Sequence, residues 1–222
     1  MCINFIPPSA EQLQQHFKVK LAAPDTWPAE TWQDYAAPII LSTNNQPEAV
    51  LASYGMVPKA HLPKGVRLST MNARAETIGE LKSYRYAWQN LQLCLVPMLG
   101  FFEPCYESGK AERWQIKMAD DKPFAVAGLW RTWQDDTGLI SHAFTQITMN
   151  ADHHPLMKRM HKPDDEKRSL VVVRPEEYDA WLSCRHPDEA RSFIRDFPAT
   201  DMQAFYSPKA KVAPASSNFS LF

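Results

Sequence analysis

The sequence predicts an α+β fold in which a strongly bent, barrel-like and mainly antiparallel sheet is flanked by a few helices. Seven runs rich in β-branched and aromatic residues are typical of strands. Helical periodicity occurs in only four segments, so the chain lacks the regular alternation of strand and helix that predicts a parallel sheet. The 18 prolines divide the chain into short elements.

The predicted strands follow one another with few helices between them, as a bent antiparallel sheet requires. Each strand is an apolar run that ends at polar or turn-forming residues. They comprise residues 38–42, 49–57, 93–102, 113–119, 124–133, 142–151 and 169–173.

Two helices are predicted from capping patterns near their N-termini. Ser9 followed by Gln12 has the spacing of a capping box and predicts a short helix over residues 10–18. Thr77 and Glu80 repeat this pattern. A longer amphipathic helix would then present one apolar face, formed by Leu81, Tyr84, Trp88 and Leu91.

Two more helices are predicted after the last strand. Pro175 is expected at the start of the third helix, because proline is favoured at the first helical position. The apolar face of this helix would comprise Tyr178, Trp181 and Leu182. Apolar periodicity over residues 193–197 predicts the fourth helix.

The length and composition are those of an ordinary globular protein, with 222 residues, 45% hydrophobic and 22% charged. We expect a single domain over residues 2–208 and a loose tail over residues 209–222. No run of about 18 apolar residues occurs, so no membrane span is expected. The N-terminus has no secretory pattern, so we expect a cytoplasmic protein. We also expect it to be a monomer.

The spacing of the cysteines and the net charge restrict the classes of function that are expected for this protein. None of Cys2, Cys94, Cys105 and Cys184 forms a C-x-x-C pair, so their spacing predicts neither a zinc site nor a disulfide framework. A reducing cytoplasm would keep all four as thiols. The formal net charge of −1 argues against a strongly basic nucleic-acid binder but allows a local basic groove.

Cys2 directly follows the initiator methionine, which methionine aminopeptidases remove when residue 2 is small. The mature chain would then carry an α-amine and a thiol two carbons apart. Such a group reacts with an aldehyde to give a Schiff base, which the thiol closes to a thiazolidine. An α-amine has a pKa near 7.7–8.0 against about 10.4 for lysine, so its nucleophilic fraction at neutral pH is greater by roughly two orders of magnitude.

Seven further segments follow Cys2 along the chain. They are YAAP (35–38), YGMVP (54–58), STMNARAET (69–77), CLVPMLGFFEP (94–104), AVAGLW (125–130), FTQITMNAD (144–152) and MKRMHKP (157–163). Together with Cys2, their order resembles the SRAP family, the SOS-response-associated peptidases or abasic-site-processing proteins. The combination of N-A-R-x-E-T, G-F-F-E and a late histidine is the most specific part of this resemblance.

The resemblance implies a role in the DNA damage response. The N-terminal cysteine would crosslink to the ring-opened aldehyde of an abasic site in single-stranded DNA and protect the lesion from strand cleavage. The peptidase label implies self-removal of Met1. No cofactor is implied, and the protein would associate with the nucleoid when it is bound to DNA.

The resemblance also assigns roles to Glu103, His161 and Asn72, and Arg74, two residues after Asn72, would lie nearby. Glu103 would be a general acid and base, because burial after an apolar run raises the pKa of a carboxyl toward neutrality. His161 would transfer protons near neutral pH. Asn72 would hold the amine and the sugar, and Arg74 would contact a DNA phosphate.

A metal site is not expected. His153 and His154 could join His161, but adjacent histidines in a strand point in opposite directions. No cysteine or carboxylate completes a recognised zinc spacing with them.

The sequence departs from the family pattern in three places. It reads Cys2-Ile3-Asn4 where Cys-Gly-Arg is usual, so a phosphate-binding arginine is missing. The segment after YGMVP contains no tryptophan, and its one aromatic ring belongs to His61. Five to six extra polar residues separate His161 from the strand that follows it.

Two other functions are compatible with this pattern. An N-terminal cysteine is the nucleophile of glutamine amidotransferases, in which the α-amine acts as the base. The later glycine-rich motifs of that class are missing here. A divergent paralogue could instead bind DNA without covalent chemistry. A covalent adduct, glutamine hydrolysis or reversible binding alone would distinguish the three.

Overall fold

The structure is a computed structural model that describes residues 2–21 and 26–209. The predicted tail therefore lies outside the described residues, except for Lys209. Twelve strands are present in the described ranges: β1 (Phe5–Ile6), β2 (Ala36–Thr43), β3 (Gln46–Tyr54), β4 (Asn72–Arg74), β5 (Leu93–Met98), β6 (Gly100–Cys105), β7 (Glu112–Met118), β8 (Phe124–Gln134), β9 (Ile140–Asn150), β10 (Arg168–Leu170), β11 (Val172–Val173) and β12 (Met202–Tyr206).

Four short α-helices accompany these strands: α1 (Ala10–Gln12), α2 (Arg85–Gln89), α3 (Tyr178–Leu182) and α4 (Pro187–Ser192). Single turns of other helical types occur at Leu13–Phe17, Lys59–His61, Met157–Arg159, Pro175–Glu177 and Ala199–Asp201. No helix in the described ranges is long and apolar enough to cross a membrane.

Five strands close into a barrel. Around the ring the order is β9, β3, β2, β5 and β8, and β8 pairs again with β9. Every pairing in this ring is antiparallel except that between β3 and β9. A barrel of this kind with few helices confirms the predicted fold class.

A second, antiparallel sheet contains β1, β6, β7 and β12. In it, β1 lies beside β6 with Phe5 opposite Phe101. The backbone N–H of Phe102 donates to the carbonyl of Asn4 at 3.2 Å, which continues the pairing toward the N-terminus. Residues 4–6 are therefore fixed alongside β6.

The larger apolar core lies between the barrel and the second sheet. Cys2 and Phe5 are fully buried in it, together with Tyr54 and Phe144 of the barrel. The rings of Tyr54 and Phe144 stack with centroids 5.1 Å apart, and Phe5 meets Tyr54 edge-on at 5.3 Å. The N-terminus is therefore part of the core, although terminal residues usually fray.

All seven predicted strand regions are strands in the structure. The run 93–102 divides into β5 and β6 at Leu99, and the run 169–173 divides into β10 and β11 at Val171. Three strands were not predicted: β1, β4 and β12, which contain two, three and five residues. Such short strands have too few residues to show an alternating pattern.

The helix predictions were only partly right. Both hydrogen bonds of the predicted capping box form between Ser9 and Gln12, but the α-helical part ends at Gln12. The predicted helix after Thr77 is wrong in its first half, because successive turns fill residues 75–84 before α2 begins. Proline begins a turn at Pro175 that leads into α3, as expected. The fourth predicted helix corresponds to α4, which ends just before the predicted range 193–197 begins.

Candidate active site

Cys2 is held by its backbone carbonyl between the barrel and the second sheet. The side-chain amide of Asn72 donates to the Cys2 carbonyl oxygen at 2.6 Å. The hydroxyl of Tyr54 lies 3.3 Å from the same oxygen. The Cys2 thiol donates to the Asn4 carbonyl at 3.3 Å, so both ends of the residue have a defined position.

The Cys2 thiol is fully buried, in contrast to the usual exposure of a terminal residue. Burial raises the pKa of the Cys2 thiol well above its usual value, and the nearby charge of Glu103 raises it further. At neutral pH the sulfur is therefore a thiol, not a thiolate. A thiol in this state needs a base before it can act as a nucleophile.

Glu103 lies on β6, directly after the buried residues Phe101 and Phe102. Its side chain is itself buried, and burial raises the pKa of the Glu103 carboxyl to about 7. This agrees with the expectation from the apolar run in the sequence. Near neutral pH, Glu103 can thus give up or accept a proton.

His161 is buried beside Glu103, with its Nδ1 atom 3.6 Å from Glu103 Oε2. Its backbone N–H donates to the Pro104 carbonyl at 2.7 Å, and its φ of 65° turns the chain sharply there. Nε2 lies 3.3 Å from the Arg168 carbonyl oxygen, which can only accept. The neutral ring thus carries its proton on Nε2 and directs the basic Nδ1 toward Glu103.

The protonation of His161 differs from the expectation of titration near neutrality. Burial lowers the pKa of the His161 imidazole to about 4. The ring is therefore neutral at physiological pH, so it can accept a proton there but holds none to donate from Nδ1. Burial favours the uncharged forms of both Glu103 and His161.

Asn72 and Arg74 lie on the same face of β4, because they are two residues apart in a strand. Asn72 contacts Cys2, and its Oδ1 atom is buried without a hydrogen-bond partner in the described part of the chain. Arg74 is about half exposed and pairs with Glu166 at 2.7 Å. The structure therefore brings Asn72 to the site and places Arg74 at its rim.

Two residues of the site were missed by the sequence analysis, although both lie in segments that it quoted. Tyr54 ends β3, and its hydroxyl lies 2.9 Å from Gln146 Oε1. Gln146 is fully buried, and its Nε2 atom has no partner among the described residues. The available signal was a glutamine in the apolar run FTQITM, since a buried amide requires polar partners.

A buried arginine supports the strand that faces His161. Arg168 pairs with Glu76 and Glu166, each at 2.8 Å. It also donates to the Thr148 carbonyl on β9 at 2.8 Å. These contacts fix the backbone of Arg168, whose carbonyl accepts the hydrogen bond from His161 Nε2.

His154, one of the histidines considered above for a metal site, has a structural role. His154 is buried, and its Nε2 donates to the Phe197 carbonyl at 2.8 Å. Its Nδ1 accepts from the backbone N–H groups of Leu156 and Met157. Within residues 2–21 and 26–209, no group of three or more metal-ligating side chains comes together.

The residues at the three departures from the family pattern have defined contacts. Asn4 is buried and donates from Nδ2 to Glu30 at 2.9 Å, whereas Ile3 is 49% exposed. His61 stacks on Trp133 with ring centroids 4.3 Å apart. After His161, the extra polar residues form a loop that includes Glu166, the partner of Arg74.

Comparison with known proteins gives similar sequences. The chain matches the family described as SOS response associated peptidase (SRAP) over residues 1–212. The abasic site processing protein YobE of Bacillus subtilis is 28% identical over 155 residues, which cover 68% of this chain and 67% of that protein. The abasic site processing protein YoaM of the same species is 26% identical over 171 residues, which cover 76% and 72%.

Solved structures have the same fold. A crystal structure of a protein from Bordetella bronchiseptica has a TM-score of 0.82 at 29% identity, over 93% of this chain and 100% of that one. A protein from Bacteroides thetaiotaomicron has a TM-score of 0.71 at 23% identity, over 94% and 93% of the two chains. With a family match over nearly its whole length, the chain belongs to the SOS response associated peptidase (SRAP) family.

Proposed function

We propose that this protein processes abasic sites by forming a covalent thiazolidine between Cys2 and the ring-opened sugar aldehyde in single-stranded DNA. The proposal rests on the hydrogen bond of 2.6 Å from Asn72 Nδ2 to the Cys2 carbonyl oxygen, beside the buried pair Glu103 and His161. The α-amine and the thiol of Cys2 must stay free to react, so the residue has to be held through its backbone. Its carbonyl oxygen is the backbone group that can accept a hydrogen bond for this purpose.

The reaction begins once Met1 has been removed. The α-amine of Cys2 adds to the aldehyde carbon, and loss of the former aldehyde oxygen as water gives an imine. The thiol sulfur then adds to the imine carbon, and its proton passes to the imine nitrogen. One aldehyde and one aminothiol therefore give one thiazolidine and one water, with no change of oxidation state.

Glu103 supplies the proton transfers of this sequence. Below its pKa of about 7 the carboxylic acid can donate a proton to the departing oxygen. The resulting carboxylate can then accept the thiol proton, which the Cys2 sulfur does not release on its own. His161, neutral at this pH, accepts a proton at Nδ1 and assists the opening of the closed sugar.

Asn72 positions the amine through both ends of its side-chain amide. Nδ2 donates to the Cys2 carbonyl, while Oδ1 is buried without a partner in the described ranges. An amine at Cys2 is a donor of the kind that this oxygen lacks. Arg74, on the same face of β4, binds a phosphate of the strand in exchange for Glu166.

The names of the relatives support the substrate. YobE and YoaM are abasic site processing proteins, and we extend that activity to this chain. Removal of Met1 would be the only peptidase activity required. Single-stranded DNA with an abasic site is the partner, the protein acts as a monomer, and no cofactor takes part.

The test is incubation of the mature protein with abasic single-stranded DNA, followed by a denaturing gel. Mass spectrometry of the intact chain first establishes that Met1 is absent. We expect a heat-stable adduct with the wild type, none with Cys2→Ala, and a labile imine with Cys2→Ser that a reductant can trap. An undiminished adduct with Cys2→Ala would contradict the proposal.

The two alternatives predict other results in the same assay. Hydrolysis of glutamine without a DNA adduct would indicate an N-terminal-cysteine amidohydrolase. Reversible binding without a heat-stable adduct would indicate a DNA-binding paralogue. A Cys105→Ala variant serves as the matched control, because Cys105 is also a buried cysteine of the same core.

A further inference from the structure

An apolar groove opens on the side of Glu103 that faces away from the barrel. It encloses about 450 Å³. Beside Glu103, its walls include Ile3, Trp32, Phe102, Arg113 and Lys209. The groove therefore begins at the residue that follows the nucleophile and passes the proposed general acid.

The backbone fixes both walls of this groove. Thr31 exchanges two backbone hydrogen bonds with Phe5 of β1, at 2.8 and 3.3 Å. This pairing places Trp32 next to the first residues of the chain. The opposite wall is β6, which carries Phe102 and Glu103.

Arg113 presents a flat surface with its charge already neutralised. Its guanidinium carbon lies 3.2 Å from the ring centroid of Phe102. One of its nitrogens contacts both carboxylate oxygens of Glu30 at 2.8 Å. A stacked guanidinium whose charge is paired offers a planar contact and little attraction for a phosphate.

Trp32 adds an aromatic plane to the groove, and the ammonium of Lys209 lies over it, 3.8 Å from the ring centroid. Ile3, next to Cys2, leaves 49% of its surface exposed at the groove. Glu112 lies at the wall, which disfavours a negatively charged ligand.

We propose that this groove binds the unpaired nucleobase next to the abasic sugar. The inference rests on the proposed function, because it takes the sugar to be attached at Cys2. The neighbouring nucleotide is then joined to that sugar by a single phosphodiester, so its base lies within reach of a groove that begins at Glu103. Stacking on indole and guanidinium planes is sequence-tolerant, so any base gains from it, and purines gain most.

The experiment compares oligonucleotides that differ only beside the lesion. One carries an abasic site with normal neighbours. Two others replace the immediate 5′ or 3′ neighbour by a baseless tetrahydrofuran spacer that cannot form an adduct. At subsaturating protein we expect one of the two replacements to slow adduct formation by about 5- to 150-fold, since stacking contributes about 1–3 kcal/mol per base.

Variants assign the effect to the groove. In Trp32→Ala, the difference between the normal and the spacer oligonucleotides should largely disappear, while Trp32→Phe should retain part of it. Tyr86→Ala is the matched control, because Tyr86 is an aromatic residue exposed elsewhere on α2. A thermal melt confirms that each variant is folded.

The outcomes separate this inference from the function on which it rests. Equal adduct rates on all three oligonucleotides would overturn the base site and leave the crosslinking function intact. A neighbour effect that persists undiminished in Trp32→Ala would overturn its assignment to this groove. Absence of adduct on every oligonucleotide would overturn the crosslinking function and the base site with it.

Discussion

Glu103 combines two properties that a general acid and base requires. It is buried at the end of an apolar strand segment, and burial brings the pKa of its carboxyl to about 7. Its neighbour His161 is shifted in the opposite direction, to a pKa of about 4. Two titratable groups with separated pKa values can divide the roles of proton donor and proton acceptor.

Replacing Glu103 by glutamine should slow adduct formation without preventing it. Glutamine keeps the size of the side chain but cannot titrate, and general acid–base catalysis typically contributes about 10²–10⁴ in rate. We expect Glu103→Gln to approach a high final yield slowly, with partial rescue on an aldehyde that is already ring-opened. A time course on both substrates measures this, and His161→Ala should show a milder defect, concentrated on the closed sugar.

The proposed role of Glu103 also predicts how the rate of adduct formation changes with pH. Wild-type Glu103 is protonated below pH 7, so the rate should fall as the pH rises above 7 and the acid is lost. At lower pH, protonation of the α-amine should lower the rate. Glu103→Gln should lose the fall on the alkaline side and keep the fall on the acidic side. A Glu103→Gln rate equal to that of the wild type would make Glu103 a structural carboxylate.

At the scale of elements, β4 is the strand that would join the proposed chemistry to the proposed DNA contact. Its three residues carry Asn72 toward Cys2 and Arg74 toward the rim, on one face of the strand. The pairing of Arg74 with Glu166 neutralises this cation. In the proposed function, a phosphate replaces the carboxylate, so the loop that contains Glu166 would compete with DNA for Arg74.

Substitutions on the two sides of this ion pair should have opposite effects. Arg74→Ala should weaken binding to single-stranded DNA and reduce the slope of log K against log[salt] by about 0.7, the value for one phosphate contact. Glu166→Gln should strengthen binding, because it leaves Arg74 more available. Fluorescence anisotropy across a salt titration measures both. Equal binding by Arg74→Ala and wild type at every salt concentration would exclude Arg74 as a phosphate ligand.

The sequence predicts the long elements well and the short ones poorly. The seven predicted strand regions were recognised because each spans enough apolar residues to show its pattern. In contrast, β4 has three residues, and its position is determined by pairing with β9 across the fold. The turns over residues 75–84 replaced a predicted helix in which Leu81 should have been buried, yet Leu81 is 48% exposed. Tertiary contacts decided these cases, and a local pattern does not contain them.

For the candidate site, the structure brings together residues that the sequence had singled out, and the roles given to them stay predictions. Cys2, Asn72 and Glu103 come from distant segments, and only the motif resemblance could group them in advance. The exposure of Cys2 and the pKa of His161 could not be predicted, because both depend on burial by residues from other strands. Tyr54 was missed because a tyrosine at the end of an apolar strand gives no sign of the partner that its hydroxyl will find.

At the scale of the whole molecule, closure of the barrel determines where the site can form. Gly128 on β8 lies opposite Cys94 of β5 and Gln146 of β9. A Cβ atom at this position would lie 2.7 Å from the Thr145 carbonyl oxygen and 2.9 Å from the sulfur of Cys94. The strands can approach this closely only because position 128 has no side chain.

Gly128→Ala should therefore destabilise the fold and disturb the site that lies next to β9. Overpacking of a close-packed core typically costs about 1–3 kcal/mol. For a chain of this size we expect a fall in Tm of roughly 3–10 °C by differential scanning calorimetry. Gly79→Ala is the control, because there the added Cβ would meet the side chain of Trp88 at 3.3 Å and should cost less. An unchanged Tm for Gly128→Ala would contradict this account of barrel closure.

The enclosure of Cys2 has a consequence for biosynthesis. A general aminopeptidase acts on an extended, accessible terminus, whereas the folded chain buries Cys2 completely and holds its carbonyl through Asn72. If the proposed function holds, trimming by such an enzyme would have to compete with folding while the nascent chain leaves the ribosome. Chains that fold first would keep their methionine and stay inert, unless the folded protein excises it by itself. The fraction of protein molecules that can react would then be set during translation, before the protein encounters an abasic site.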